Sequence, residues 1–172
     1  MLSWWRYTDS LYRHTDLEEN AEGKTPLELE ANRAGYAFVE LDGDIGVIAN
    51  GAGLTMATLD TLLLYGLKPR NFLDLGGTDS VDITKNAFTY VLKAKPKAIL
   101  VNIFGGVTKC DTVARGIIAA KKEIGIELPM VVRLSGVHEE EGRRMLEEEG
   151  IHAFGDMRHA IEKLRDIMGG SQ

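Results

Sequence analysis

The stretch AILVNIFGGVTKCD, residues 98–111, runs apolar at both odd and even positions as far as Phe104, interrupted by Asn102, and then breaks into two glycines and a polar turn. A strand with one wet face alternates apolar and polar residues. One that is apolar on both parities is covered on both faces, as the central strands of parallel sheets are. Gly105 and Gly106 end the run, and Asp111 stands where a carboxylate can accept from the first N–H groups of a following helix. The stretch therefore reads as strand, close turn, helix.

The same pattern repeats on either side. Short β-branched runs at Ile45–Asn50, Asn71–Leu75, Met130–Leu134 and Ile151–Phe154 join Ala98–Phe104 as predicted strands. Apolar residues at helical spacing predict helices over Leu54–Tyr65, Val81–Lys93, Asp111–Ile124, Glu139–Glu149 and Met157–Met168. Strands alternating with helices make βαβ units and hence a parallel sheet. Five of each is the count of an α/β, flavodoxin-like domain, an open parallel five-stranded sheet with helices on both faces. Right-handed crossovers favour the strand order 2-1-3-4-5, with the short IHAF run at an edge. Residues 1–43 are polar and turn-rich, with one helical stretch at Pro26–Ala34 and one strand at Tyr36–Leu41. They read as the tail of a preceding domain, and residues 44–170 as the main one. Trp4 and Trp5 fit a surface that the upstream domain covers.

Composition narrows the function. With 44% hydrophobic and 27% charged residues the chain belongs to the ordinary globular range, which excludes a disordered protein. No apolar run approaches the roughly 20 residues a membrane-spanning helix needs, and the amino terminus has no secretory pattern. The net charge of -6 argues against a nucleic-acid surface, which requires concentrated basic charge. Cys110 is the single cysteine, so no internal disulfide forms, and the four histidines lack zinc spacing. The expected setting is cytoplasmic, or the mitochondrial matrix in a eukaryote.

Ligands of open α/β sheets bind outside the carboxyl ends of the strands, where helix N-termini present unpaired N–H groups to anions. Four of the five predicted strand exits carry glycine there: NGAGL after Ala49, DLGGTDS from Asp74, NIFGGVTKCD from Asn102, and RLSG from Arg133. A single such loop is as readily a plain tight turn; four together favour close backbone approach to a ligand or partner. The third loop, with a free-hydroxyl Thr108 and the cationic Lys109, suits a carboxylate or phosphate, yet GGVTKC lacks Walker A spacing and NGAGL lacks the dinucleotide fingerprint. His14, His138, His152 and His159 read as ordinary surface or boundary residues, and Cys110 as a half-buried structural thiol. The charges of HEEEGRR read as a solvated helix face, with Glu140 and Arg144 paired at i,i+4. A receiver module would present an aspartate at the third strand exit, where Asn102 and glycines stand instead, and a flavin module would carry a hydroxyl-rich first loop.

Taken in order and spacing, LDGDIGVIANGAGL, NFLDLGG, AILVNIFGGVTKCD and PMVVRLSG resemble the carboxyl-terminal ligase domain of the succinyl-CoA synthetase β subunits, from about Asp9 almost to the end. Malate-CoA ligase and ATP-citrate lyase carry related domains. The resemblance implies an acid-thiol ligase that works only in a complex. An upstream ATP-grasp domain, of which residues 1–43 would be a remnant, holds Mg2+ and ATP or GTP and phosphorylates a histidine of a CoA-binding α subunit. That phosphohistidine passes its phosphoryl group to succinate or a similar dicarboxylate, and the CoA thiol captures the acyl phosphate. The resemblance places substrate binding at Asn50, Gly106, Val107 and Thr108, and the N-terminus of the helix that faces the phosphohistidine at Lys109, Cys110 and Asp111. It implies no metal or cofactor in this chain, no catalytic residue of its own, and an isolated chain without activity. The loop GGTDSVD departs from the family, which usually has a third glycine and an alanine there.

Overall fold

The computed structural model describes residues 23–169. Its strands are β1 (Ala37–Glu40), β2 (Ile45–Ala49), β3 (Asn71–Asp74), β4 (Ala98–Gly105), β5 (Met130–Gly136) and β6 (His152–Phe154). Its helices are α1 (Pro26–Arg33), α2 (Ala52–Leu64), α3 (Val81–Lys93), α4 (Cys110–Ala120), α5 (Glu139–Glu148) and α6 (Met157–Gly169). A π-helical turn over Lys121–Gly125 closes α4, where the sequence predicted continued α-helix to Ile124.

The sheet has six strands in the order β1-β3-β2-β4-β5-β6. The five predicted strands take the predicted order, all parallel, with β6 at one edge. The expectation of a five-stranded, purely parallel sheet is corrected by β1, which pairs antiparallel with β3 from Ala37↔Asp74 to Glu40↔Asn71. Phe38 and Val39 are both buried, so this strand is covered on both faces. Its outer edge is blunted by the Glu28 carboxylate, which accepts the Glu40 N–H at 3.1 Å. The polar, turn-rich residues around the strand hid that role.

Two apolar layers flank the sheet. On one side Phe88 and Val91 of α3, Val113 and Ile117 of α4 and Leu146 of α5 pack on Ile99, Val101 and Ile103. On the other, Leu59 and Leu62 of α2 and Ile161 and Leu164 of α6 pack on Ala98 and Leu100. The two parities of β4 thus feed two cores, which explains its unbroken apolar run. Between β2 and β3 the ladder is completed by a side chain: buried Asn71 accepts the Val47 N–H at 3.0 Å and donates to the Val47 carbonyl at 2.9 Å.

Tyr36 ties the β1 edge to the body, donating its hydroxyl to the Ile83 carbonyl at 2.6 Å. Burial, aided by the neighbouring Tyr90, pushes its pKa up to about 12. A phenol whose folded pKa exceeds its unfolded value contributes stability that is present below the unfolded pKa, about 10, and is lost as pH rises through the folded one. The domain should lose about 2–3 kcal/mol of unfolding free energy between those limits. Urea unfolding across that alkaline range checks it: Tyr36→Phe should flatten the dependence, and an unchanged slope in the variant would assign the loss to other groups.

Candidate functional site

The chain leaves β2 through α2 on one face and β3 through α3 on the other, so the exits of β2 and β4 form the switch point of the sheet. Asn50 stands there, half-buried. Its Nδ2 donates to the Phe104 carbonyl and its Oδ1 accepts the Phe104 N–H, both at 2.9 Å. This double bond-pair clips the two exits together and leaves one amide N–H and one lone pair of Asn50 for a ligand. Beside it the Asp74 carboxylate accepts the N–H groups of Gly51 at 2.6 Å and Gly76 at 2.8 Å, joining the first and second loops.

The third loop folds on itself. Gly106 donates its N–H to the Thr108 carbonyl at 3.0 Å, so that donor is spent within the turn. The Thr108 hydroxyl, read from sequence as free, is buried and donates to the Thr78 carbonyl at 2.8 Å. Among the described residues no acceptor takes the N–H of Val107 or of Thr108, and the Val107 side chain is exposed. Two adjacent backbone donors in a glycine turn form the kind of concavity that receives an anionic oxygen.

Lys109 is the N-cap of α4 and supplies no side-chain cap. Asp111 is not the N-cap but lies one residue into the helix, where the Thr112 N–H of the first turn helps to hold its charge, with Oδ1 receiving His138 Nδ1 at 3.0 Å and Oδ2 receiving Arg115 Nη2 at 3.0 Å. Burial pushes the Asp111 carboxyl up, but the His138 and Arg115 bonds outweigh it and hold it below the ordinary carboxylate range. The charge over the helix end comes instead from Asp79, whose Oδ1 accepts the Lys109 N–H at 3.0 Å, with the Lys109 ammonium 4.0 Å from Oδ2. That N–H, then the Thr112 hydroxyl, keeps the Asp79 carboxyl below its usual range.

Cys110 is a structural thiol, as the sequence suggested, but fully rather than half buried: burial pushes its thiol up, and Sγ faces the Ser135 carbonyl at 3.5 Å. The ion pair on α5 is Glu139–Arg143 at 2.6 Å rather than Glu140 with Arg144. Arg143 also donates to the Leu134 carbonyl at 2.8 Å, which draws the guanidinium inward and selects that register.

Sequence reasoning missed a second polar group on the α2–α6 face. Arg133 donates to Asn102 Oδ1 and to the Gly155 carbonyl, each at 3.2 Å, and lies over the Phe104 ring. Buried Asn102 donates in turn to Thr58 Oγ1 at 2.8 Å. Burial is the main influence lowering the Arg133 pKa. An Asn inside an apolar strand was the available signal. Asp111, His138 and Glu141 also bring one ligand atom each within 4.8 Å of one another, across a sequence gap that no spacing rule spans. Arg115 already claims an oxygen of that Asp111.

Among the described residues no helix is long and apolar enough to cross a membrane. The six-stranded, mostly parallel sheet, with glycine loops and helix N-termini gathered along one rim, defines an α/β domain. The chain belongs to the CoA-ligase family, whose pattern it matches over residues 48–163. It is 49% identical over 162 residues to the protein named succinate--CoA ligase [ADP-forming] subunit beta of Staphylothermus marinus, covering 92% of this chain and 42% of that one. It is 48% identical over 164 residues to the protein of the same name from Desulfurococcus amylolyticus, covering 94% and 43%. This chain thus spans a little over two fifths of the length of these relatives. Among solved structures, ATP citrate lyase from Methanothrix soehngenii shares the fold at a TM-score of 0.61 and 16% identity, over 86% of this chain and 47% of that one. A dinucleotide-forming acetyl-coenzyme A synthetase 1 from Ca. Korarchaeum cryptofilum does so at 0.59 and 21%, over 78% and 37%.

Proposed function

We propose that this chain is the ligase domain of a succinate–CoA ligase β subunit, and that it acts with a CoA-binding α subunit which carries the phosphorylated histidine. The observation that carries this reading is the 49% identity, over 92% of the chain, to a β subunit of that name. The residues up to Gly43, which lend α1 and β1 to the sheet, lead in from an ATP-grasp domain that holds Mg2+ and the nucleotide. The ADP-forming names of the relatives favour ATP. Likeness to citrate lyase extends to the fold, so succinate rather than citrate is the acid assigned.

The chain's own part is binding and electrostatics. The Val107 and Thr108 N–H groups, with the spare N–H of Asn50, receive the acid's carboxylate, and Gly106 lets it approach. The α4 N-terminus over Lys109, Cys110 and Asp111 stabilises the phosphoryl group as it leaves the partner's histidine: the phosphorus–nitrogen bond breaks and a carboxylate oxygen takes the phosphorus. The CoA thiolate then attacks the acyl carbon and phosphate departs. Exposed Phe104, Val107 and Val137 give the rim an apolar surface for the partner.

Light-scattering chromatography of the chain with a matching CoA-binding α subunit tests the docking. A one-to-one complex is expected, without turnover until the ATP-grasp domain is restored, and then with succinate preferred to malate and citrate. Failure of the full-length β subunit to bind that partner, or preference for another acid, would overturn the assignment.

A further inference from the structure

Asp79 lies in the loop where the sequence departs from its resemblance, and the structure sets it on the α4 N-terminus. Its carboxylate accepts the Lys109 N–H at 3.0 Å and lies 4.0 Å from the Lys109 ammonium. These are the interactions an exogenous anion would make at a helix N-terminus beside a lysine. The side chain is about one third exposed, so solvent and partner can reach it. The residues on either side of it are anchored. The Thr78 carbonyl accepts the Thr108 hydroxyl at 2.8 Å, and Ser80 caps α3 by accepting the Ile83 N–H at 3.2 Å. Asp79 can therefore leave the helix end by rotating its side chain, with the backbone loop held in place.

We propose that Asp79 is a resident counter-anion of the α4 N-terminus, which a transferred phosphoryl group must displace in order to bind there. This rests on the reading of that helix end as the phosphoryl site. Asp79 satisfies the helix end while the site waits and competes with the incoming group for the same Lys109 N–H, Thr112 hydroxyl and Lys109 ammonium. It thereby weakens the hold on the phosphoryl group and on the phosphate that remains after acyl transfer. It is a positioning residue and takes no proton or covalent bond.

The test is a titration of the full 172-residue chain with inorganic phosphate at constant ionic strength, followed by the amide resonances of Val107 to Thr112. Asp79→Asn keeps the size of the side chain and removes its charge; Asp79→Gly removes the side chain from a loop that already tolerates Gly76 and Gly77. Both variants should bind phosphate about tenfold more tightly than the parent, a gain of about 1.4 kcal/mol, with shifts centred on Lys109 to Thr112. A residue that merely caps the helix would instead lower the unfolding midpoint and leave phosphate affinity unchanged. Equal affinity in all three proteins, with the shifts still at these amides, would overturn the counter-anion role and leave the phosphoryl site standing. Shifts at these amides in none of the three would overturn both.

Discussion

Gly136→Ala should lower the unfolding free energy by about 3–5 kcal/mol, a large share of the roughly 5–15 kcal/mol that holds a domain together. Gly136 has a φ of +106°, and a Cβ built on it would lie 2.3 Å from the Gly105 carbonyl oxygen and 2.8 Å from the Gly105 nitrogen. Both obstacles are backbone, so no rotamer change relieves them. The strand ends must separate, and with them goes the chain of bonds by which Val137 donates to Gly105 and Cys110 donates to Val137. That chain sets where α4 begins, so the variant should also broaden the amide resonances around Lys109. Urea unfolding measures the first effect; a loss under about 0.5 kcal/mol would mean the β4 and β5 exits can part at no cost.

Gly106→Ala supplies the contrast. Its φ is unremarkable for any residue and an added Cβ meets nothing within 4 Å. Stability should stay within about 0.5 kcal/mol. Two adjacent glycines with the same look in the sequence thus differ in kind: a Cβ added at Gly105 would lie 2.8 Å from Cys110 Sγ and 2.9 Å from the Val137 nitrogen, while one at Gly106 has room. A functional cost at Gly106 would have to come from the ligand side. The pattern GG carries no record of which glycine faces which neighbour, because that depends on β5 arriving from residues 130–136.

The legibility of the rest follows the same division between local and long-range determinants. β4 was readable because burial on both faces leaves a local imprint, and the crossover rule ordered its neighbours. β1 was misplaced because its pairing with β3 depends on partners over 30 residues away, while its immediate surroundings are polar. At the site, the loops and the α4 N-terminus were legible as glycine clusters at strand exits. The commitments of their polar groups were not. The Thr108 hydroxyl is spent on Thr78, Asp111 turns to His138 and Arg115, and Asp79 covers the helix end. Each of these bonds joins different strand-exit loops or crosses a helix turn, and composition shows only that the donors and acceptors exist. Asn102 and Arg133 could have been singled out, since a polar residue inside an apolar central strand must find a buried partner.

Asn50 carries the largest functional prediction. In the proposed complex with an α subunit, Asn50→Ala should reduce acid-dependent kcat/KM by about 10²-fold, as expected for losing a hydrogen bond to a charged ligand together with the clip that orients its neighbours. The clip and the ligand contact can be separated. Asn50→Asp keeps an oxygen for the Phe104 N–H, now bonded at 2.9 Å, but turns the donor that meets the Phe104 carbonyl into a second oxygen. The new charge faces the incoming carboxylate, so KM for the acid should rise further than in Asn50→Ala, while KM for CoA and for the nucleotide stays put. A purely structural Asn50 would behave otherwise: both variants would lose stability, and kcat would fall with every substrate's KM unchanged. Steady-state kinetics with acid, CoA and nucleotide varied in turn distinguish the two. The outcome also bears on the switch point itself, since a clip across the β2 and β4 exits that binds no ligand would leave the Val107 and Thr108 N–H groups as the only donors assigned to the acid.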